Sequence, residues 1–320
     1  MENREWLERL AAKRDGLSET LYAMYSGLTG GITTDPAMMS IPADDHLAHR
    51  GDGVFESLKC IDGQLYNADA HLSRLELSCA GIGMEPPCPR DELLDIICDT
   101  IRAGARQTCL IRVLVSRGTG NMGIDPSLCA GPELYVIVYR LTQRIENGRL
   151  KPAKACLSTV PIKPRLLATI KTCNYLTNAL MKLEARNRGV DFVISIDENG
   201  NLGEGATENI GILSADNELL MPTAERVLAG TTARRALDLA QTLVADGTLR
   251  AAKTCNIPPA QAAQAKEIFI FGTTTDVTPV IEWEGAPVSD GRPGPVAVKL
   301  LELLRSDMTP QSKTLTKVFE

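Results

Sequence analysis

Apolar positions along the chain recur in two periods, and the switches between them set out the elements. Leu7, Leu10 and Ala11, then Leu17, Leu21 and Met24, fall at helical spacing with Gly16 between them. That pattern predicts two short amphipathic helices, or one kinked helix, over residues 5 to 25. Leu72, Leu75, Leu77 and Cys79 predict the buried face of a helix that opens at His71, and Leu93, Leu94, Ile97 and Ile101 that of another over 91–105. Leu176, Ala179, Leu180 and Leu183 predict a further helix stopped by Gly189, and a last one follows Pro295 with Val298, Leu301 and Leu304 facing inward.

Strand-like text lies between these helices. Two apolar runs flank Asp62-Gly63, a strong hairpin signal. Residues 109–116 form an apolar run broken by Arg112, and 133–140 are rich in Val, Ile and Tyr. Further on, a strand over 190–197, a tight turn and a return strand over 202–213 containing Glu204 are expected, then strands over 267–271 and 277–282. Pro161 and Pro164 punctuate the segment before Lys171, which marks a domain boundary. The expected organisation is an N-terminal helical extension (1–30), a small α+β domain (31–158), a linker (159–170) and a larger cofactor-binding domain (171–320).

The length of 320 residues suits two domains. A net charge of −6 with no cluster of Lys and Arg argues against nucleic acid or an anionic membrane as the partner. The amino terminus is charged and periodic, unlike a signal peptide, and no long apolar run follows, so a cytoplasmic address is expected. Nine cysteines, none spaced Cys-x-x-Cys, and three histidines give no metal layout. Cys173 as a nucleophile would need an activating base, and no histidine follows it.

The unusual chemistry sits in one stretch. Lys171 stands just ahead of a helix, and Glu204 is flanked by Gly203 and Gly205, which remove side chains where something flat could lie against the backbone. Two Gly-Thr-Thr turns follow, at 230–232 and 272–275, the first opening a helix whose free N–H groups and dipole suit an anion. A plain threonine N-cap explains the first turn equally well. On spacing alone Arg74 reads as a solvated helix charge and Arg112 as an outward-facing strand residue. A lysine, a carboxylate and a phosphate cradle together fit pyridoxal 5'-phosphate: the amine takes the aldehyde and moves a proton at the substrate Cα, the acid keeps the pyridine nitrogen protonated, and the helix holds the phosphate.

Six ordered motifs carry a family resemblance over residues 35 to 305: Gly51-Asp-Gly-Val-Phe-Glu, His71-Leu-Ser-Arg-Leu, Lys171-Thr-Cys-Asn-Tyr-Leu, Glu204-Gly-Ala-Thr-Glu-Asn, Gly230-Thr-Thr and Gly272-Thr-Thr-Thr. The chain resembles the class IV (fold type IV) pyridoxal-phosphate enzymes, which include branched-chain aminotransferases, D-amino-acid aminotransferases and aminodeoxychorismate lyases. The resemblance implies a small α+β domain beside a larger pseudo-barrel domain, and a homodimer whose pockets are shared. It implies that Lys171 carries the cofactor covalently, that Glu204 pairs with the pyridine nitrogen, and that Tyr175 donates to the ring hydroxyl. Arg74, Thr231, Thr232 and Thr273 fall where the family binds phosphate, and Thr274 where it receives the substrate carboxylate.

Substrate choice rests on departures from the subfamilies. Branched-chain enzymes usually have Tyr where this chain has Arg50 and Leu110. D-amino-acid enzymes typically carry Arg-x-His where Asn121-Met-Gly-Ile stands, and the lyases a small hydroxyl residue where Glu56 stands. Arg50 and Arg112 occupy positions that the family points at the substrate, where guanidinium groups suit a carboxylate. The expectation is a transaminase for D-amino acids with 2-oxoglutarate or pyruvate. An L-branched-chain aminotransferase is the alternative, with lyase activity third. A cofactor-holding protein without turnover is the reading from a different class.

Overall fold

The computed structural model describes residues 2–120, 122–146, 149–310 and 312–319. The chain divides by internal contacts into two compact units, one of Met1–Thr142, Lys171–Asn174 and Ser312–Glu320, the other of Gln143–Ile170 and Tyr175–Gln311. The first change of unit along the chain falls at 142/143. The segment with Lys171 belongs to the first unit because it is stitched to the strand Gly53–Ile61: Phe55 N–H donates to Lys171 O at 2.9 Å, Cys173 N–H donates to Gly53 O at 2.8 Å, and Val54 bridges Thr172.

The first unit is built on a seven-stranded antiparallel sheet ordered Leu315–Lys317, Gln64–Tyr66, Gly53–Ile61, Cys109–Ser116, Glu133–Tyr139, Leu21–Ser26, Gly31–Thr33. Asp62 and Gly63, both at positive φ, close the expected hairpin. Leu21–Ser26 is a correction: a helix was expected where a strand pairs with Glu133–Tyr139. A six-residue stretch with two tyrosines satisfies helical spacing by chance, and the waiting edge of the sheet decides the outcome. The helices Ala68–Gly81 and Arg90–Ala103 bury Leu72, Leu75 and Cys79, and Leu93, Ile97 and Ile101. Leu77, expected inward, is 71% exposed, since about 100° per residue carries it well round the helix from Leu72.

The second unit holds an eight-stranded mixed sheet, ordered Phe192–Ile194, Ala153–Leu157, Asp276–Trp283, Glu267–Gly272, Asn209–Leu213, Glu218–Met221, Ala251–Thr254, with Ala286–Pro287 paired to Asp276–Trp283. Its core gathers Ile194, Ile210, Ile212, Ile268, Ile270 and Val280. The expected strand 202–213 is shorter: Leu202 makes only an isolated bridge to Ile196, and the ladder begins at Asn209. Glu204 therefore lies in an irregular segment, where a side chain can be aimed without the constraint of a pleat. The helix Leu176–Asn187 buries Asn178, Met181 and Ala185 against Cys156, Val193 and Ala206, leaving Leu176, Leu180 and Leu183 exposed. In the helix Pro295–Ser306, Leu300 and Leu304 are buried while Val298 is exposed. Among the described residues no helix is long and apolar enough to cross a membrane.

Candidate active site

Lys171 is buried, with its main chain fixed at both ends: its N–H donates to Ser78 Oγ at 3.2 Å and its carbonyl accepts from Phe55. The Nζ stands 4.5 Å from the centre of the Phe55 ring. Arg112 places its guanidinium carbon 4.7 Å from the same centre, so one aromatic ring carries both cations. Arg112 Nη2 also donates to Tyr139 Oη at 3.1 Å, and its buried Nε has no partner among the described residues. The outward reading of Arg112 is thus corrected. Burial pushes the nearby Cys173 thiol up to about 12, against the pull of Arg112 and Lys171. A thiol held protonated is a poor nucleophile, in keeping with the weak case for Cys173 in catalysis.

Arg74 is not a solvated helix charge. It grasps Glu56, which is wholly buried, and His71 Nδ1 lies 2.6 Å from Glu56 Oε2. Burial by itself would raise the Glu56 pKa, but Arg74 and His71 override it and hold the carboxyl well below the usual range. Burial, helped by the charges of Arg74 and Lys171, lowers the His71 pKa despite the Glu56 carboxylate. Arg50 spends its donors on main-chain oxygens, of Met122 at 2.6 Å and of Gly123 and His49 at 3.0 Å each. It pins the loop after the Cys109–Ser116 strand. Asn121 lies outside the described residues.

In the second unit, Glu204, Tyr175, Asn178 and Lys163 line one small cavity. The Glu204 main chain is strapped to Ser195, whose Oγ donates to Glu204 O at 2.9 Å and accepts from Glu204 N at 3.2 Å. Gly203 makes this possible, for a Cβ there would come within 2.6 Å of Ser195 Oγ and 2.7 Å of Ile162 Cδ1. The glycine serves the chain's own packing, a different reason from the flat ligand inferred from sequence. Glu204 Oε2 accepts from Leu228 N–H at 3.0 Å, and Leu228 O accepts from Asn209 Nδ2 at 2.9 Å. Two residues later comes Gly230, the N-cap of the helix Thr231–Ala245, with no side chain capping it and with Thr231 and Thr232 buried. Thr273 and Thr274 sit half-buried on the turn between Glu267–Gly272 and Asp276–Trp283.

Sequence reasoning missed Lys163, Asn178, Tyr139 and the part played by Glu56. Lys163 stands over the Tyr175 ring at 5.0 Å, and burial lowers its pKa, partly offset by Glu204. It fell in the two-proline segment read as a linker. The signal for Glu56 was there to find, as an acid in an otherwise apolar strand needs a partner. Within the second unit, a carboxylate that shares a cavity with a tyrosine, and a helix N-terminus with two buried hydroxyls, are groups that suit a phosphorylated aromatic cofactor; in the first unit, the buried Lys171 offers an amine. Buried atoms without partners among the described residues, Asn178 Oδ1 and Thr275 Oγ1, mark where a ligand would be met.

Comparison with known proteins gives the same picture. The family described as Amino-transferase class IV matches residues 53–283. The chain is 36% identical over 304 residues to a protein of Arabidopsis thaliana named "D-amino-acid transaminase, chloroplastic", covering 94% of this chain and 80% of that one. It is 27% identical over 279 residues to the "Putative branched-chain-amino-acid aminotransferase" of Methanocaldococcus jannaschii, covering 87% and 95%. In fold it matches the branched-chain amino acid aminotransferase of Thermobaculum terrenum solved in its PLP form, with a TM-score of 0.81, 20% identity, and coverage of 94% of this chain and 100% of that one.

Proposed function

The chain belongs to the class IV aminotransferases, which depend on pyridoxal 5'-phosphate, and on that premise we propose that it moves the amino group of a D-amino acid, such as D-alanine or D-glutamate, to 2-oxoglutarate or pyruvate. The observation that carries this reading is Arg112, a half-buried guanidinium that shares the Phe55 ring with Lys171 and keeps its buried Nε without a partner among the described residues. A planar cation so placed suits a substrate carboxylate. The D hand is supported by the relative named a D-amino-acid transaminase.

Pyridoxal phosphate, when bound, supplies the electron-accepting ring that stabilises negative charge at the substrate Cα. In this reading Lys171 holds the cofactor covalently and moves the proton at that carbon. Glu204 keeps the pyridine nitrogen protonated, and Tyr175 donates to the ring hydroxyl. Arg74, Thr231, Thr232 and Thr273 hold the phosphate. Arg112 and Thr274 receive substrate carboxylates, and Arg50 contributes through the loop it pins. The protein acts as a homodimer with shared pockets and a cytoplasmic address. L-branched-chain transamination is the second reading, supported by the relative named for that activity.

Mixing the loaded protein with single amino acids and following the cofactor's absorbance tests the reading. D-alanine or D-glutamate is expected to react faster than L-leucine; the reverse order would end the D assignment.

A further inference from the structure

Tyr139 ends the strand Glu133–Tyr139 and lies directly across the ladder from Leu110. Side chains two apart on a strand share a face, so Leu110 and Arg112 point the same way and Tyr139 is the diagonal neighbour of Arg112. Its phenol oxygen accepts from Arg112 Nη2 at 3.1 Å. Phe55 supports the flat face of the same guanidinium. A planar group held at one corner and across its face has lost most of its freedom to turn. Among the described residues the buried Nε–H has no partner, and it is one prong of the edge that carboxylates accept in two-pronged fashion. Leu110 stands where the branched-chain enzymes resembled by this chain usually carry a phenol. Here the phenol reaches that face from the neighbouring strand, coupled to an arginine.

We propose that Tyr139 is a specificity-determining positioning residue: its phenol fixes the Arg112 guanidinium in the orientation that receives the distal carboxylate of a dicarboxylic 2-oxo acid. The inference rests on the reading of Arg112 as a carboxylate site. It adds that discrimination between dicarboxylic and monocarboxylic acceptors depends on the Tyr139 hydroxyl. Without it the guanidinium swings on its stem, and a share of the binding is lost to ordering it again.

The test compares Tyr139→Phe, Arg112→Ala and the unaltered holoenzyme with 2-oxoglutarate and with pyruvate. Tyr139→Phe is expected to raise the KM for 2-oxoglutarate about 5- to 10-fold, the net worth of one ordinary hydrogen bond. The kcat and the KM for pyruvate stay within about twofold. Inhibition by glutarate, a dicarboxylate that cannot react, weakens by the same factor and gives a second measure independent of turnover. An unchanged KM for 2-oxoglutarate, or an equal rise for both acceptors, overturns the proposal. If Arg112→Ala raises the 2-oxoglutarate KM and Tyr139→Phe does not, the carboxylate site stands and the role of Tyr139 falls. If neither variant moves it, the carboxylate site falls, and the proposal with it.

Discussion

Arg74 holds Glu56 through two parallel hydrogen bonds, Nε to Oε1 at 2.6 Å and Nη2 to Oε2 at 2.8 Å. The carboxylate has no exposure to solvent, so its charge is balanced by this pairing, with His71 Nδ1 a further 2.6 Å hydrogen-bond contact at Oε2. Glu56→Gln keeps the size and removes the charge, leaving Arg74 largely buried without its counter-ion. A loss of about 3 kcal/mol of stability is expected in urea denaturation of the cofactor-free protein. A loss under about 1 kcal/mol would show that the triad does little to hold the fold.

The same cluster sets an acid limit. The folded-state pKa values of Glu56 and His71 both lie below their ordinary 4.5 and 6.5, so as the pH falls the unfolded chain binds protons that the folded one does not. The stability they contribute is complete above about pH 6.5 and is lost in acid, the His71 share beginning there and the Glu56 share below about pH 4.5. Urea midpoints measured across this range are expected to fall with pH, and Glu56→Gln is expected to flatten the most acidic part. Midpoints that hold level between about pH 7 and pH 4 would contradict this.

Gly230 is the tightest position before the helix Thr231–Ala245. A Cβ there would overlap Asn209 Oδ1 and lie 2.9 Å from its Cγ. Gly230→Ala must displace Asn209 and so undo its hydrogen bond to Leu228 O, the residue whose N–H reaches Glu204. A destabilisation of about 1–3 kcal/mol is expected, together with weaker binding of pyridoxal phosphate in an absorbance titration. An unchanged cofactor affinity would mean that this turn does not help to hold the phosphate.

The parts that were legible in the sequence are those specified locally. Asp62-Gly63 dictates its own turn, and strand runs alternating with helical periods make the mixed α and β character legible, while the two sheets themselves are seen only in the structure. Lys171 is buried in the structure and Glu204 nearly so, and their residue types are costly to bury without a task. What could not be read depended on partners distant in sequence. Leu21–Ser26 becomes a strand only because Glu133–Tyr139 offers it an edge. Leu176, Leu180 and Leu183 lose the contest for the buried face to Met181 and Ala185, which meet Val193 and Ala206. The Arg74–Glu56 and Arg112–Tyr139 pairs join residues on different elements, and Lys163 looked like part of a linker until the fold placed it beside Tyr175.

Lys171 is proposed to be the residue that carries the cofactor. The direct measurement is borohydride reduction of the loaded protein followed by peptide mapping. The cofactor's mass is expected on the peptide containing Lys171, and Lys171→Ala is expected to take up none covalently. Cofactor found instead on Lys163, whose pKa burial lowers, or retained covalently by Lys171→Ala, would contradict it.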